Sequence, residues 1–150
     1  MSSSDDLRAW AEKYAGLVQP FDAGAREPQK KLELARRNLE RARAALASGD
    51  PDQAIISAET AIVNAADAVI ALSGHRLRGK TGSHQARFER PALPKPFADE
   101  RRMLDAARRA RNTAQYDEFG SVPESLATDA VRVAAKLLAA SKALVAAMEG

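Results

Sequence analysis

Ala45-Leu46-Ala47-Ser48-Gly49-Asp50-Pro51-Asp52-Gln53-Ala54 decides the fold. Glycine ends one helix, aspartate caps the next and proline opens it. Upstream, Leu32, Ala35, Leu39, Ala42 and Leu46 recur at helical spacing, with Arg36, Arg37, Glu40 and Arg43 largely outside that stripe, which predicts a helix from Pro28 to Ala47. Downstream, Ile55, Ile62, Ala66, Val69 and Ser73 line one side of a second helix over 51–73. Ile56, Val63 and Ile70 widen its apolar arc and leave Thr60, Asn64 and Asp67 on a narrow polar strip. Such a helix is central to a bundle or partly buried at an interface. The hairpin looks like one tetratricopeptide unit, but no second copy follows at about 34 residues.

Working outward, a third helix fits 97–115. Gly120 and Pro123 separate it from a fourth over 123–148, striped by Leu126, Ala130, Val133, Leu137, Leu144 and Met148. Residues 74–96 hold three prolines and three glycines and read as a long connection with one helical turn near 84–90. A short helix is expected over 5–15, after which Gly16, Pro20 and Gly24 loosen the chain. The fold class is therefore all-α: an up-and-down bundle of four main helices with an irregular central loop. Residues 1–27 read as an N-terminal segment and 28–150 as the bundle.

The 150 residues suit one core. Hydrophobic residues make up 45% but aromatics only 5%, so the core should be thin and alanine-lined, and a homodimer burying the second and third helices is expected. The chain has no cysteine, and Met1-Ser2-Ser3-Ser4-Asp5-Asp6 lacks the basic and apolar regions of a secretory signal. No stretch reads as a membrane helix, and a cytoplasmic protein is expected. P-loop, dinucleotide-glycine and His-Glu-x-x-His patterns are absent. His75 and His84 alone make no metal site, so neither metal nor cofactor is expected.

Charge is placed unevenly. Residues 74–111 carry 11 basic and 4 acidic side chains, a net +7, whereas 1–73 and 112–150 each carry −2. Clustered positive charge attracts phosphate-bearing partners, although a solvated basic face would look the same. Within this segment Met103, Ala107, Ala110 and Ala114 share a helix face, and Arg101, Arg102, Arg108 and Arg109 fall on the solvent side. Arg111 lies between that apolar face and Leu104, where its guanidinium should be partly buried. A buried cation needs a partner. The available partners are a phosphate, which an arginine fork suits, Glu59, the one acid in the apolar arc of the second helix, Tyr116 and Asp117.

The run Arg111-Asn112-Thr113-Ala114-Gln115-Tyr116-Asp117 resembles the end of the motif helix in the HEPN family. Its ribonucleases carry an arginine, four to six residues and a histidine. One branch, paired with minimal nucleotidyltransferases, ends instead in an Arg-x-x-Ala-Asp-Tyr-Asp-like string. Arg111, Ala114, Tyr116 and Asp117 match that branch, and Gln115 replaces its first aspartate. The run from Ala58 to Ile70 is similar to another family helix in its alanines and apolar positions, without the aromatic pair and histidine. Lys80-Thr81-Gly82-Ser83-His84-Gln85 resembles the Ser-His element of the central loop. The resemblance covers about residues 30–145.

It implies a dimeric module that binds RNA, nucleotide or a nucleotidyltransferase partner through a basic cleft, or a toxin–antitoxin component. The candidate ligand-binding residues are Glu59, Lys80, His84, Arg108, Arg111, Asn112, Tyr116 and Asp117. The alternative is a metal-independent ribonuclease toxin, with Arg111 holding the phosphate and Tyr116 or His84 handling the proton of the attacking 2′-hydroxyl. Tyr116 stands where the motif histidine would be. A phenol is a poor base near neutral pH, but can stack on a nucleobase. A third reading is a helical scaffold whose basic segment is incidental.

Overall fold

The computed structural model describes residues 4–21, 24, 26–117 and 120–149. In chain order the elements are α1 (Ser4–Lys13), β1 (Val18–Pro20), α2 (Glu27–Ala47), α3 (Pro51–Leu72), β2 (His75–Leu77), α4 (Ser83–Phe88), α5 (Lys95–Asp99), α6 (Arg101–Asn112), a π turn (Thr113–Asp117) and α7 (Glu124–Glu149). The fold is an all-α bundle built on α2, α3, α6 and α7, with one two-stranded ribbon at its side. The stop between α2 and α3 forms as its residues dictate. Gly49 adopts a left-handed φ of +79°, and the Asp50 carboxylate accepts from the Gln53 amide at 3.1 Å.

Alanine sets the packing. Ala35 and Ala42 of α2, Ala54, Ala58, Ala61 and Ala65 of α3, and Ala127, Ala130 and Ala134 of α7 are all fully buried. Without long side chains between them, the helices approach closely around Ile55, Ile62 and Leu137. On α7 the stripe holds at Ala130, Val133 and Leu137, but Val145 is buried at its end and Met148 is exposed.

One expectation about α3 is corrected. By length and composition it is apolar enough to cross a membrane, with 22 residues and a window of mean hydropathy 1.6. Here α2, α6 and α7 sheathe it as the axis of the bundle, and only Gln53 along it is exposed. That arrangement accounts for its apolar girth within one chain.

The third helix is also not continuous. Glu100 leaves helical geometry between α5 and α6 (φ −101°, ψ 17°), and its carboxylate anchors on Lys136 of α7 at 3.1 Å.

The stretch expected to loosen after α1 is instead ordered. The Leu17 and Val18 amides turn back onto the Tyr14 carbonyl, and Val18–Pro20 pairs antiparallel with His75–Leu77, Val18 opposite Leu77. A proline is tolerated because a two-stranded ribbon leaves each strand one free edge. Trp10 drives the docking. Its ring is buried with Val18 and Ile70, and its indole N–H donates to the Ala86 carbonyl of α4 at 2.8 Å. The irregular middle thus carries a strand and a helix, with α4 at the turn expected near 84–90.

Candidate functional site

On α3, Glu59, Val63 and Asp67 follow one another at four-residue spacing and share a face. Two carboxylates on a largely buried helix need counter-charges. α6 supplies one: Arg111 Nη1 donates to Glu59 Oε2 at 2.6 Å, with the Glu59 side chain only 6% exposed and Arg111 32%. α4 supplies the other: Arg87 Nε donates to Asp67 Oδ1 at 2.8 Å. Glu59 is one of the partners expected for Arg111 from sequence; the pairing of Asp67 with Arg87 is not among those expectations.

These pairs bracket a pocket of about 230 Å³ between α3, α4 and α6. Glu59 and Val63 form its α3 side, Ser83, His84 and Arg87 its α4 side, and Arg108, Arg111 and Asn112 its α6 side. Its α4 wall is held in place from outside. Gly82 precedes α4 with φ +92°, a conformation that favours glycine, and Trp10 grips the Ala86 carbonyl. The His84 ring packs edge-on against Phe88, centroids 4.8 Å apart. Its Nε2 meets Asp105 Oδ1 of α6 at 3.1 Å, and its Nδ1 is enclosed with no partner among the described residues.

The pocket therefore gathers five of the residues expected from sequence: Glu59, His84, Arg108, Arg111 and Asn112. Arg108 was expected on the solvent side. It lines the pocket instead, because α4 lies against a face of α6 that a plain four-helix bundle would leave open. Among the described residues it has no ion pair. Arg101, also expected free, donates to the Phe88 carbonyl at 3.2 Å and stands 3.8 Å from Asp105. Lys80 is exposed in the turn before α4 and does not line the pocket. Tyr116 is outside it too, 74% exposed on the π turn. The Asp117 side chain lies outside the described residues, as do Met1, Ser2 and Ser3.

Ser83, Val63, Arg87 and Asp105 were missed. For Arg87 a signal existed: Asp67, eight residues from Glu59 on the same face, required a cation. A second basic group nearby is Arg90, which is buried and donates to the Pro91 carbonyl at 2.6 Å. Burial pulls it down to about 10, leaving it charged at neutral pH. Burial, and then Arg90, hold His75 below the ordinary histidine range. Among the described residues no group of three or more His, Cys, Asp or Glu could hold a metal ion.

The HEPN domain model matches residues 29–144. The chain belongs to the HEPN family. Among curated proteins none matches it. Every pocket residue falls inside the HEPN span, which opens in α2 and closes in α7. α1 and β1 precede that span, yet Trp10 of α1 holds the α4 wall of the pocket within it.

Proposed function

We propose that this HEPN protein binds RNA through its phosphates in the pocket between α3, α4 and α6. The observation that carries the reading is Arg108, a cation without an ion pair among the described residues, set in a concavity beside Arg111 and His84. A phosphate there accepts from the Arg108 fork and from the Arg111 N–H groups that Glu59 leaves free, with Ser83 and Asn112 as neutral donors. Glu59 fixes the Arg111 fork and offsets its charge, so Arg108 and Arg111 together keep a net +1 beside it, which favours a singly charged phosphodiester over a more highly charged ligand. The test is RNA binding across a salt series. Arg108→Glu is expected to weaken a short single-stranded RNA about tenfold or more and to flatten the salt slope by about one contact. Arg37→Glu, on the outer face of α2, is the control and should change little. Equal affinities for wild type and Arg108→Glu would remove the pocket from the function.

A second reading, metal-independent RNA cleavage, is favoured by one observation: His84 shares the pocket with Arg108 and Arg111 and is oriented by Asp105. In that reading Asp105 holds Nε2–H, and Nδ1, enclosed in this structure, is uncovered on RNA binding and takes the 2′-hydroxyl proton as the 2′-oxygen attacks phosphorus and the 5′-oxygen leaves with a proton from water. Cleavage by wild type in chelator, lost in His84→Ala, distinguishes it from binding alone. A nucleotidyltransferase or antitoxin partner and a toxin–antitoxin role rest on the Arg111–Asp117 string and its family branch, and a cytoplasmic setting is proposed from the cysteine-free composition. The homodimer, with α3 and α6 at its interface, belongs to this reading too. Light scattering is expected to give twice the chain mass at high micromolar concentration, and monomer alone would refute it.

A further inference from the structure

Among the described residues Tyr116 is the most exposed of the large aromatic side chains. Trp10, Phe88 and Phe97 are buried, and Phe21 lies under the Arg76 guanidinium at 4.4 Å, but Tyr116 is 74% exposed. A single exposed aromatic needs no explanation by itself. Its position supplies one. Arg108, Asn112 and Tyr116 follow at four-residue spacing along α6 and into the π turn, so they form one ridge. In an α-helix each four-residue step overshoots a full turn. The wider π turn removes that overshoot and keeps Tyr116 over Asn112. The first two residues of the ridge line the pocket.

The ridge is also fixed at its far end. Asp52, buried at the start of α3, accepts from the backbone amides of Gly120 and, at 3.3 Å, Val122, just beyond the π turn. Thr113 at the head of the turn donates its hydroxyl to the Arg109 carbonyl at 3.1 Å. By spacing, Tyr116 therefore follows the two pocket residues along one line, on the order of 10 Å from Arg108 along the axis.

We propose that Tyr116 is a nucleobase-stacking platform, so that the ligand of the pocket is single-stranded RNA, its phosphate on Arg108 and Arg111 and a neighbouring unpaired base on the Tyr116 ring. This rests on the RNA-phosphate reading above and names the substrate class it takes. A base in a duplex presents only its edges, so a paired strand cannot use the ring. Stacking accepts every base, so the platform gives preference for single strands without strong sequence selectivity.

The experiment compares three probes: a short single-stranded RNA, the same RNA annealed to its complement, and inorganic tripolyphosphate. Each is titrated onto wild type, Tyr116→Ala, Tyr116→Phe and Arg108→Glu. Tyr116→Ala is expected to weaken the single strand about tenfold and leave tripolyphosphate unchanged, whereas Tyr116→Phe keeps wild-type affinity for both. Arg108→Glu should weaken both the single strand and tripolyphosphate. Unchanged single-strand affinity in Tyr116→Ala overturns the platform, as does an equal loss for tripolyphosphate or a duplex that binds as tightly as the single strand. If Tyr116→Ala fails while Arg108→Glu still weakens tripolyphosphate, the platform is wrong and the phosphate pocket stands. If Arg108→Glu changes nothing, the underlying reading fails.

Discussion

Arg111→Ala is expected to destabilise the protein by about 2–3 kcal/mol, because it strands the Glu59 carboxylate against α3 with no counter-charge. The loss is set below the roughly 3–5 kcal/mol of a fully enclosed pair, since Arg111 is a third exposed and water can enter where its side chain was. For a chain of this length the melting temperature should fall by about 5–10 °C. Glu59→Gln in the same background removes the stranded charge and should restore most of the stability. A loss that Glu59→Gln does not restore would mean that the arginine stem, through packing, carries the effect. RNA binding separates the two roles. In the Glu59→Gln background Arg111 remains a cation, so binding should persist there and weaken when Arg111→Ala is added.

Trp10→Ala is expected to cost about 3–5 kcal/mol, the range for truncating a buried large aromatic. It removes the ring packed with Val18 and Ile70 and the N–H that holds the Ala86 carbonyl. The cost has a ceiling, because α1 and β1 can undock while the α2–α3–α7 core stays folded. Trp10→Phe keeps most of the ring area and loses the hydrogen bond, and should cost about 1–2 kcal/mol. Urea denaturation measures the totals. Hydrogen exchange across residues 83–88 shows where the damage falls: α4 should lose protection in Trp10→Ala before α3 does. Since α4 carries Ser83, His84 and Arg87, RNA affinity should fall with it, although Trp10 does not line the pocket. Full protection of α4 in a destabilised Trp10→Ala would break this link.

What was legible in the sequence was local. Ser48-Gly49-Asp50-Pro51 sets a helix stop and restart through its own backbone and one side chain, and it forms as read. Glu59 facing Arg111 needed only the phase of two helices. What was hidden depended on partners far along the chain. Val18-Gln19-Pro20 is too short to show alternation and contains a proline; it becomes a strand because His75–Leu77 lies beside it and Trp10 anchors the approach. The place of α4 depends on that same anchor. Arg108 was assigned to solvent because helical phase ranks faces against one core and cannot foresee a second layer. Glu100 interrupts the expected third helix where Lys136 and Arg132 of α7 meet its carboxylate.

The π turn could not be read from spacing either, since one extra residue per turn leaves no mark in a five-residue run. Its consequence is nevertheless the alignment of Tyr116 with Arg108.

A crystal structure with a short single-stranded RNA shows whether a phosphate enters the pocket between α3, α4 and α6. A phosphate is expected between Arg108 and Arg111, with its oxygens about 2.7–2.9 Å from the guanidinium nitrogens, as charge-assisted hydrogen bonds require. RNA lying along the outer face of α2, with its phosphates on Arg26, Lys30 and Arg37 and none at Arg108, would contradict it.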